Sequence, residues 1–202
     1  VGTRNLTAVF VGGKYTIAKY CQWDGYPNGQ GVDLLRFLRD EAEPTFASKC
    51  ADARIATKEE IVAAYTSCGA APNSDLVSFE VSDKVFDLFP NLHRDMGGAD
   101  ALRFVQENAP GVAFPFSLGF AADSLFCEWA YVVDFDKGTF EVYEGFNKEP
   151  LDESERFANV DGAEKSNKEY YPVRLSATFS LSDLPSDEVF LKTFAKEDEC
   201  DE

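Results

Sequence analysis

Chemistry-bearing side chains are densest in the segment Gln22-Trp23-Asp24-Gly25-Tyr26-Pro27-Asn28-Gly29-Gln30-Gly31. Its last seven positions hold three glycines and a proline, and the segment as a whole carries the polar groups Gln22, Asp24, Asn28 and Gln30 and the rings of Trp23 and Tyr26. Glycines ahead of a helix let the backbone approach a ligand closely, and the first amides of that helix can hold an anion. Gln22, Trp23, Asp24, Tyr26, Asn28 and Gln30 are therefore the candidate ligand-binding residues. The spacing is neither G-x-G-x-x-G nor G-x-x-x-x-G-K-[ST], so it implies no phosphate motif. The same residues also fit a tight turn in which Asp24 accepts backbone hydrogen bonds and Trp23 packs beneath.

Asp24 and Glu128 are the candidates for acid–base catalysis, with Gln22 or Gln30 orienting a substrate. Glu128 lies in the run Leu125-Phe126-Cys127-Glu128-Trp129-Ala130-Tyr131-Val132-Val133, which as a strand is apolar on both faces. Its carboxylate should then be mostly buried, and either paired near the strand end or holding its proton. Glu141 is a third carboxylate placed on a strand. His93 is the one histidine of the chain, so any Ser-His-Asp or Cys-His machinery must run through it, and sites built on two histidines are closed. Its position after Pro90 predicts an exposed or helix-capping role. The five cysteines are odd in number and contain no C-x-x-C pair, which predicts reduced thiols, with Cys21 and Cys127 packed as small hydrophobes and Cys200 exposed. Asp134, Asp136 and Gly138 faintly match a calcium loop but lack its later acidic ligand, so they read as a turn. No metal and no cofactor is expected.

The elements that must position these groups follow from hydrophobic period. Leu6–Val11 and Tyr15–Trp23, separated by Gly12-Gly13-Lys14, read as a hairpin with Tyr15, Ile17, Lys19, Cys21 and Trp23 on one face. Apolar residues at 34, 35, 37 and 38 predict a helix ending before Pro44. Thr57 and Glu60 have the capping-box spacing ahead of a stripe at Ile61, Val62 and Tyr65. Short helices are predicted over Ser82–Phe89 and Gly98–Asn108, each closed by a proline. Gly111–Ala122 reads as a buried irregular crossing. The run from Ser124 through Asp136-Lys137-Gly138 to Phe146 predicts a second hairpin, Tyr171–Ser180 a strand with one wet face, and Asp152–Glu169 a long loop. Strands grouped at both ends of a helical middle imply an α+β domain, its largely antiparallel sheet built from two hairpins and a late strand. One globular domain over 1–196 is expected, followed by an acidic disordered tail over 197–202.

With 36 acidic against 19 basic residues and a net charge of −17, the surface repels phosphate backbones and anionic lipids, which disfavours nucleic acid and membrane as partners. No run of apolar residues is long enough to span a bilayer, and Val1-Gly2-Thr3-Arg4 does not open a signal-peptide core, so the expected location is cytoplasmic. Thr3-Arg4-Asn5-Leu6-Thr7, the 22–31 segment and Glu128-Trp129-Ala130-Tyr131-Val132-Val133 resemble a widespread group of hypothetical proteins of similar length from fungi and other microbes. That resemblance covers most of the chain and implies a cytosolic location rather than a chemistry. The order of strand pair, helices and strand pair is also similar to that of the N-terminal-nucleophile hydrolases. Those enzymes need a terminal Thr, Ser or Cys, whereas this chain opens with Val1.

Two functions remain open from the sequence. One is a binding or interaction protein that presents the Gln22–Gly31 loop to a small molecule or protein. The other is a hydrolase of amide or nucleotide substrates that uses Asp24 and Glu128, which requires the two carboxylates to share a pocket.

Overall fold

The computed structural model describes residues 2–71, 77–163 and 169–195. The acidic run 197–202 and Cys200 lie outside them. β1 (Asn5–Val11) and β2 (Lys14–Cys21) form the first hairpin, turning through Gly12 and Gly13, which both have positive φ. Their register slips between Val9 and Phe10, so Val9 faces Ile17 while Phe10 faces Tyr15. The extra residue turns Tyr15 away from the Ile17 face predicted for it. It meets Phe10 edge to face at 5.0 Å and packs on the opposite side of the sheet.

The second hairpin joins β5 (Trp129–Asp134) to β6 (Thr139–Glu144). Asp134 accepts from the Lys137 amide at 2.9 Å, and Asp136 accepts from the Gly12 and Gly13 amides at 2.8 and 2.7 Å. Asp134 closes the turn from the end of β5, and Asp136 within the turn ties the tips of the two hairpins together. β7 (Arg174–Ser180) adds to β6 with Ser176, Thr178 and Ser180 exposed. Leu175 is exposed as well, because β7 is the sheet edge and a bulge opposite Val142 and Tyr143 breaks its alternation. The sheet order is β2-β1-β5-β6-β7, antiparallel except for the central β1–β5 pair, which is parallel. The fold is α+β.

Between the hairpins run α1 (Val32–Arg36), flanked by π-helical turns over Pro27–Gly31 and Phe37–Glu41, and α2 (Phe46–Ala51). A helical turn thus begins inside the segment read as a glycine loop, at Pro27, which is pre-set for a helix start, but Gly29, at φ −108 and ψ −105, kinks it before α1. α3 (Lys58–Ser67) carries the predicted capping box: the Glu60 amide donates to Thr57 Oγ1 at 3.1 Å, and the Thr57 amide to Glu60 Oε2 at 2.8 Å. α4 (Phe79–Leu88) starts three residues before the predicted Ser82 because Ser78 caps it, and α5 spans Gly98–Asn108 as predicted. The 111–122 crossing contains β4 (Ala113–Phe114), paired in parallel with β3 (Arg54–Ile55), and a 3-10 turn over Leu118–Ala122. A last helix, α6 (Asp187–Phe194) behind the cap Ser186, was not predicted.

The sheet separates two apolar clusters. Val9, Ile17, Tyr131, Val133, Phe140 and Val142 face the helices, where Leu34, Phe37, Phe46, Leu102 and Phe190 complete the larger core. Leu6, Ala8, Ala18, Ala130, Val132 and Tyr143 face irregular chain, covered by Ala121, Phe157, Val160 and Val173. The segment 145–163 is held on this second face by a buried ionic cluster. Arg156 spans Asp134 and Glu141, with Nε 2.7 Å from Glu141, and Tyr143 donates to the same carboxylate at 2.5 Å. Burial pushes both carboxyls up, but the hydrogen bonds and charge of Arg156, together with the Lys137 amide on Asp134 and the Tyr143 and Thr139 hydroxyls on Glu141, outweigh it and hold both below the usual carboxylate range.

One expectation needs correction, and one holds only in part. Glu128 is only half-buried and lies just before β5 rather than within it. Residues 123–127 coil back on themselves, with the Cys127 amide donating to Asp123 O at 2.7 Å, so the strand cannot begin before Trp129. His93 is the C-cap of the 3-10 turn Pro90–Leu92, its amide donating to Pro90 O at 3.0 Å, but it is not exposed. It is 3% exposed, closed in by Phe86 and by the chain that returns over the β2 edge.

Candidate functional site

The 22–31 loop is built rather than loose. The Gly25 amide donates to Thr3 O at 2.9 Å, Tyr131 Oη donates to Gly25 O at 2.8 Å, and the Gln30 amide closes on Asp24 O at 2.8 Å. Asp24 takes φ +54, a left-handed conformation that Asp tolerates better than most residues. Gly31 leaves little room. A Cβ there would sit 3.1 Å from Tyr131 Oη and 3.2 Å from the Phe190 ring, so this glycine lets the helix start press onto the core.

These constraints separate the candidate residues. Gln22 Oε1 accepts from Tyr20 Oη at 2.5 Å, and Gln30 Oε1 accepts from the Gly98 amide at 2.7 Å, so both are occupied in joining elements. The Trp23 indole is at the surface, 46% exposed, and donates to Asp95 at 3.0 Å rather than packing beneath the turn. Asp24 is exposed, and its role in the turn is through its carbonyl rather than its side chain. Tyr26 and Asn28 point another way, into a cavity of about 500 Å³ that Glu128 also lines. Asp24, Gln22 and Gln30 do not line it. The carboxylate pair on which the hydrolase reading depends is therefore not assembled.

Three elements enclose that cavity. The loop contributes Tyr26, Pro27 and Asn28, the open end of the second hairpin contributes Glu128, Trp129, Glu144 and Phe146, and the end of α6 contributes Leu191, Phe194 and Ala195. Trp129 and Glu144 are cross-strand partners, which brings an indole and a carboxylate side by side. Trp129 meets Phe194 edge to face at 5.7 Å. Phe146 has φ +54, held by its amide donating to Ser124 O at 2.7 Å, and its ring stays half exposed. Among the described residues, neither Glu128 nor Glu144 forms an ion pair. The site is thus two carboxylates without a cation, set among four aromatic rings. Glu144, Phe146 and the α6 residues escaped the sequence reading, although apolar residues at 190, 191 and 194 behind Ser186 carry the period of a capped helix.

A second constellation tests the nucleophile route. Ser82 Oγ lies 2.8 Å from His93 Nε2, and the Asp95 carboxylate lies 3.9 Å from Nδ1. The residue types are those of a hydrolytic triad, but the protons are arranged the other way. The Asp95 backbone amide donates to Nδ1 at 3.1 Å, so Nδ1 is bare and the neutral ring carries its proton on Nε2, toward Ser82. A ring that donates to the hydroxyl cannot accept its proton. Burial pushes the His93 imidazole below its ordinary value, with Asp95 opposing, which keeps this tautomer neutral. Protonation therefore favours the unfolded chain. The stability that His93 contributes is complete above its unfolded value of about 6.5 and is lost as pH falls through the lower folded value, at up to ~1.4 kcal/mol per pH unit. Urea titrations between neutral pH and about pH 5 should show this slope. His93→Gln should flatten it, and an unchanged slope would exclude the single histidine as its origin.

Among the described residues no three His, Cys, Asp or Glu side chains group as a metal-ligating set, and no helix is long and apolar enough to cross a membrane. Cys21, Cys50, Cys68 and Cys127 are free and buried, and burial pushes the Cys21 thiol up to about 11. Compared with known protein families, with curated proteins and with solved structures, the chain has no match.

Proposed function

We propose that the protein is a binding protein whose cavity between the 22–31 loop, the open end of the β5–β6 hairpin and α6 receives an organic cation with an apolar body, of the alkylammonium class. The observation that carries this reading is the pairing of Glu128 and Glu144, both without a cation, with the rings of Tyr26, Trp129, Phe146 and Phe194. Aromatic faces attract a quaternary ammonium through their quadrupole, and desolvation inside a cavity strengthens that attraction to ~2 kcal/mol or more per favourable ring. Carboxylates add long-range attraction, and a net charge of −17 steers cations to the whole surface. This narrows the loop's role to Tyr26, Pro27 and Asn28.

The two tryptophans, Trp23 and Trp129, make the test direct. In Trp23→Phe, Trp129 alone reports, and choline should quench its fluorescence saturably. The uncharged isostere 3,3-dimethylbutan-1-ol should do so at least about tenfold more weakly. Glu128→Gln with Glu144→Gln should weaken choline by about tenfold or more while leaving the urea midpoint unchanged. Equal affinity for choline and its isostere would remove the cation from the reading, and no quenching by either would remove the site.

A further inference from the structure

We propose that a second cavity, at the free edge of β2 beneath α3, is a binding site for a small organic carboxylate with an apolar body. It has a volume of about 390 Å³, and among the described residues the only charged ones on its wall are Lys19 and Arg94. In a chain with 36 acidic and 19 basic residues, a wall with two cations and no carboxylate runs against the composition.

Lys19 carries the inference furthest. Its side chain is 2% exposed, yet among the described residues no carboxylate lies within ion-pair distance of it. The other buried charges, Asp134 and Glu141, are paired with Arg156. Lys19 Nζ donates to His93 O at 2.7 Å and to Tyr20 O at 3.2 Å, which occupies two of its three N–H bonds. A buried ammonium with only neutral acceptors is costly, and an arriving carboxylate would supply the missing countercharge. Arg94 is exposed and pairs with Asp95 only loosely, through Nε at 3.7 Å, so its two terminal nitrogens, which have no partner among the described residues, can take a carboxylate at the mouth. Tyr65 and Ser117 also line the cavity. Ile61, Leu92 and Pro115 supply apolar wall for the ligand's body. A carboxylate suits one buried and one exposed cation better than phosphate, which brings more charge into a wall that is mostly apolar.

The test uses benzoate and phenylacetate as probes, benzamide and phenylacetamide as their uncharged counterparts, and inorganic phosphate as the competing anion. Calorimetric titration of the full chain should show saturable binding of at least one carboxylate, a rise in melting temperature with its concentration, and weakening at high salt. The amides should bind at least about tenfold more weakly. Arg94→Gln, an exposed change that leaves the fold in place, should cost about tenfold in carboxylate affinity, and Lys19→Met should cost more wherever that variant folds. Choline quenching of Trp129 should be unaffected by Arg94→Gln, which keeps the two sites separable. The proposal is overturned if neither carboxylate binds at millimolar concentration, if the amides bind equally well, if phosphate alone binds, or if Arg94→Gln leaves the carboxylate affinity unchanged.

Discussion

Arg156→Met should destabilise the protein by about 3–5 kcal/mol at neutral pH, among the largest effects of any single polar substitution in the chain. The guanidinium is the cation for two acids at once, with Asp134 at 1% exposure and Glu141 at 5%. Removing it strands both carboxylates in the second core, next to Phe10 and Tyr15, whose rings the guanidinium also overlies at 5.6 and 5.9 Å. The same change removes one hold on the 145–163 segment, which Phe157 and Val160 still pack against that face. The pH dependence separates this account from a packing defect. In the wild type, Asp134 and Glu141 are held below their ordinary values, so the cluster's stability is present above the unfolded carboxyl range of about 4 and is lost as pH falls through the folded values. In Arg156→Met the stranded acids would rather be protonated, so acidification should relieve the variant while it weakens the wild type. The difference between their urea midpoints should shrink from pH 7 toward about pH 4. A constant difference would mean that the arginine acts through packing alone.

Phe190→Ala should cost a similar ~3–5 kcal/mol, the usual range for truncating a fully buried phenylalanine. Phe190 is completely buried and meets Phe140 at 6.1 Å, Phe179 at 5.2 Å and Phe194 at 5.0 Å. It also closes against Gly31, so one ring joins α6, the late strands and the start of α1. Because Leu191 and Phe194 form one wall of the cavity beside Trp129, loosening α6 should lower choline quenching even at temperatures where the variant is still folded. Phe190→Leu keeps most of the volume and should recover most of both losses. If Phe190→Ala lowers stability but leaves choline binding intact, α6 is not part of the site.

The chain itself determined whatever depends on neighbours a few residues away. The glycine-marked turn at 12–13, the Asp136-Lys137-Gly138 turn, the Thr57–Glu60 capping box and the bounds of α5 all rest on backbone preferences and capping hydrogen bonds that act within one or two turns of chain. The α+β class followed from the same local periods. The tertiary structure decided what comes together across long separations. The parallel seam between β1 and β5 joins residues more than a hundred positions apart, and no local period encodes a partner. The Val9–Phe10 slip turned Tyr15 over toward the distant Arg156, and the burial of His93 brings it onto Lys19. The coil that moved Glu128 out of its strand, by contrast, is closed locally by the Cys127 amide on Asp123 O, and the Glu128 amide then meets the distant Arg4 carbonyl. The candidate loop was visible because its composition is unusual, and two of its six named residues, Tyr26 and Asn28, face the cavity. Its other four are turned elsewhere by hydrogen bonds to Tyr20, Asp95 and Gly98 and by the backbone turn at Asp24. Composition marks where a site can be built, but the direction of each side chain is set by the distant groups that hold the backbone and compete for its polar atoms.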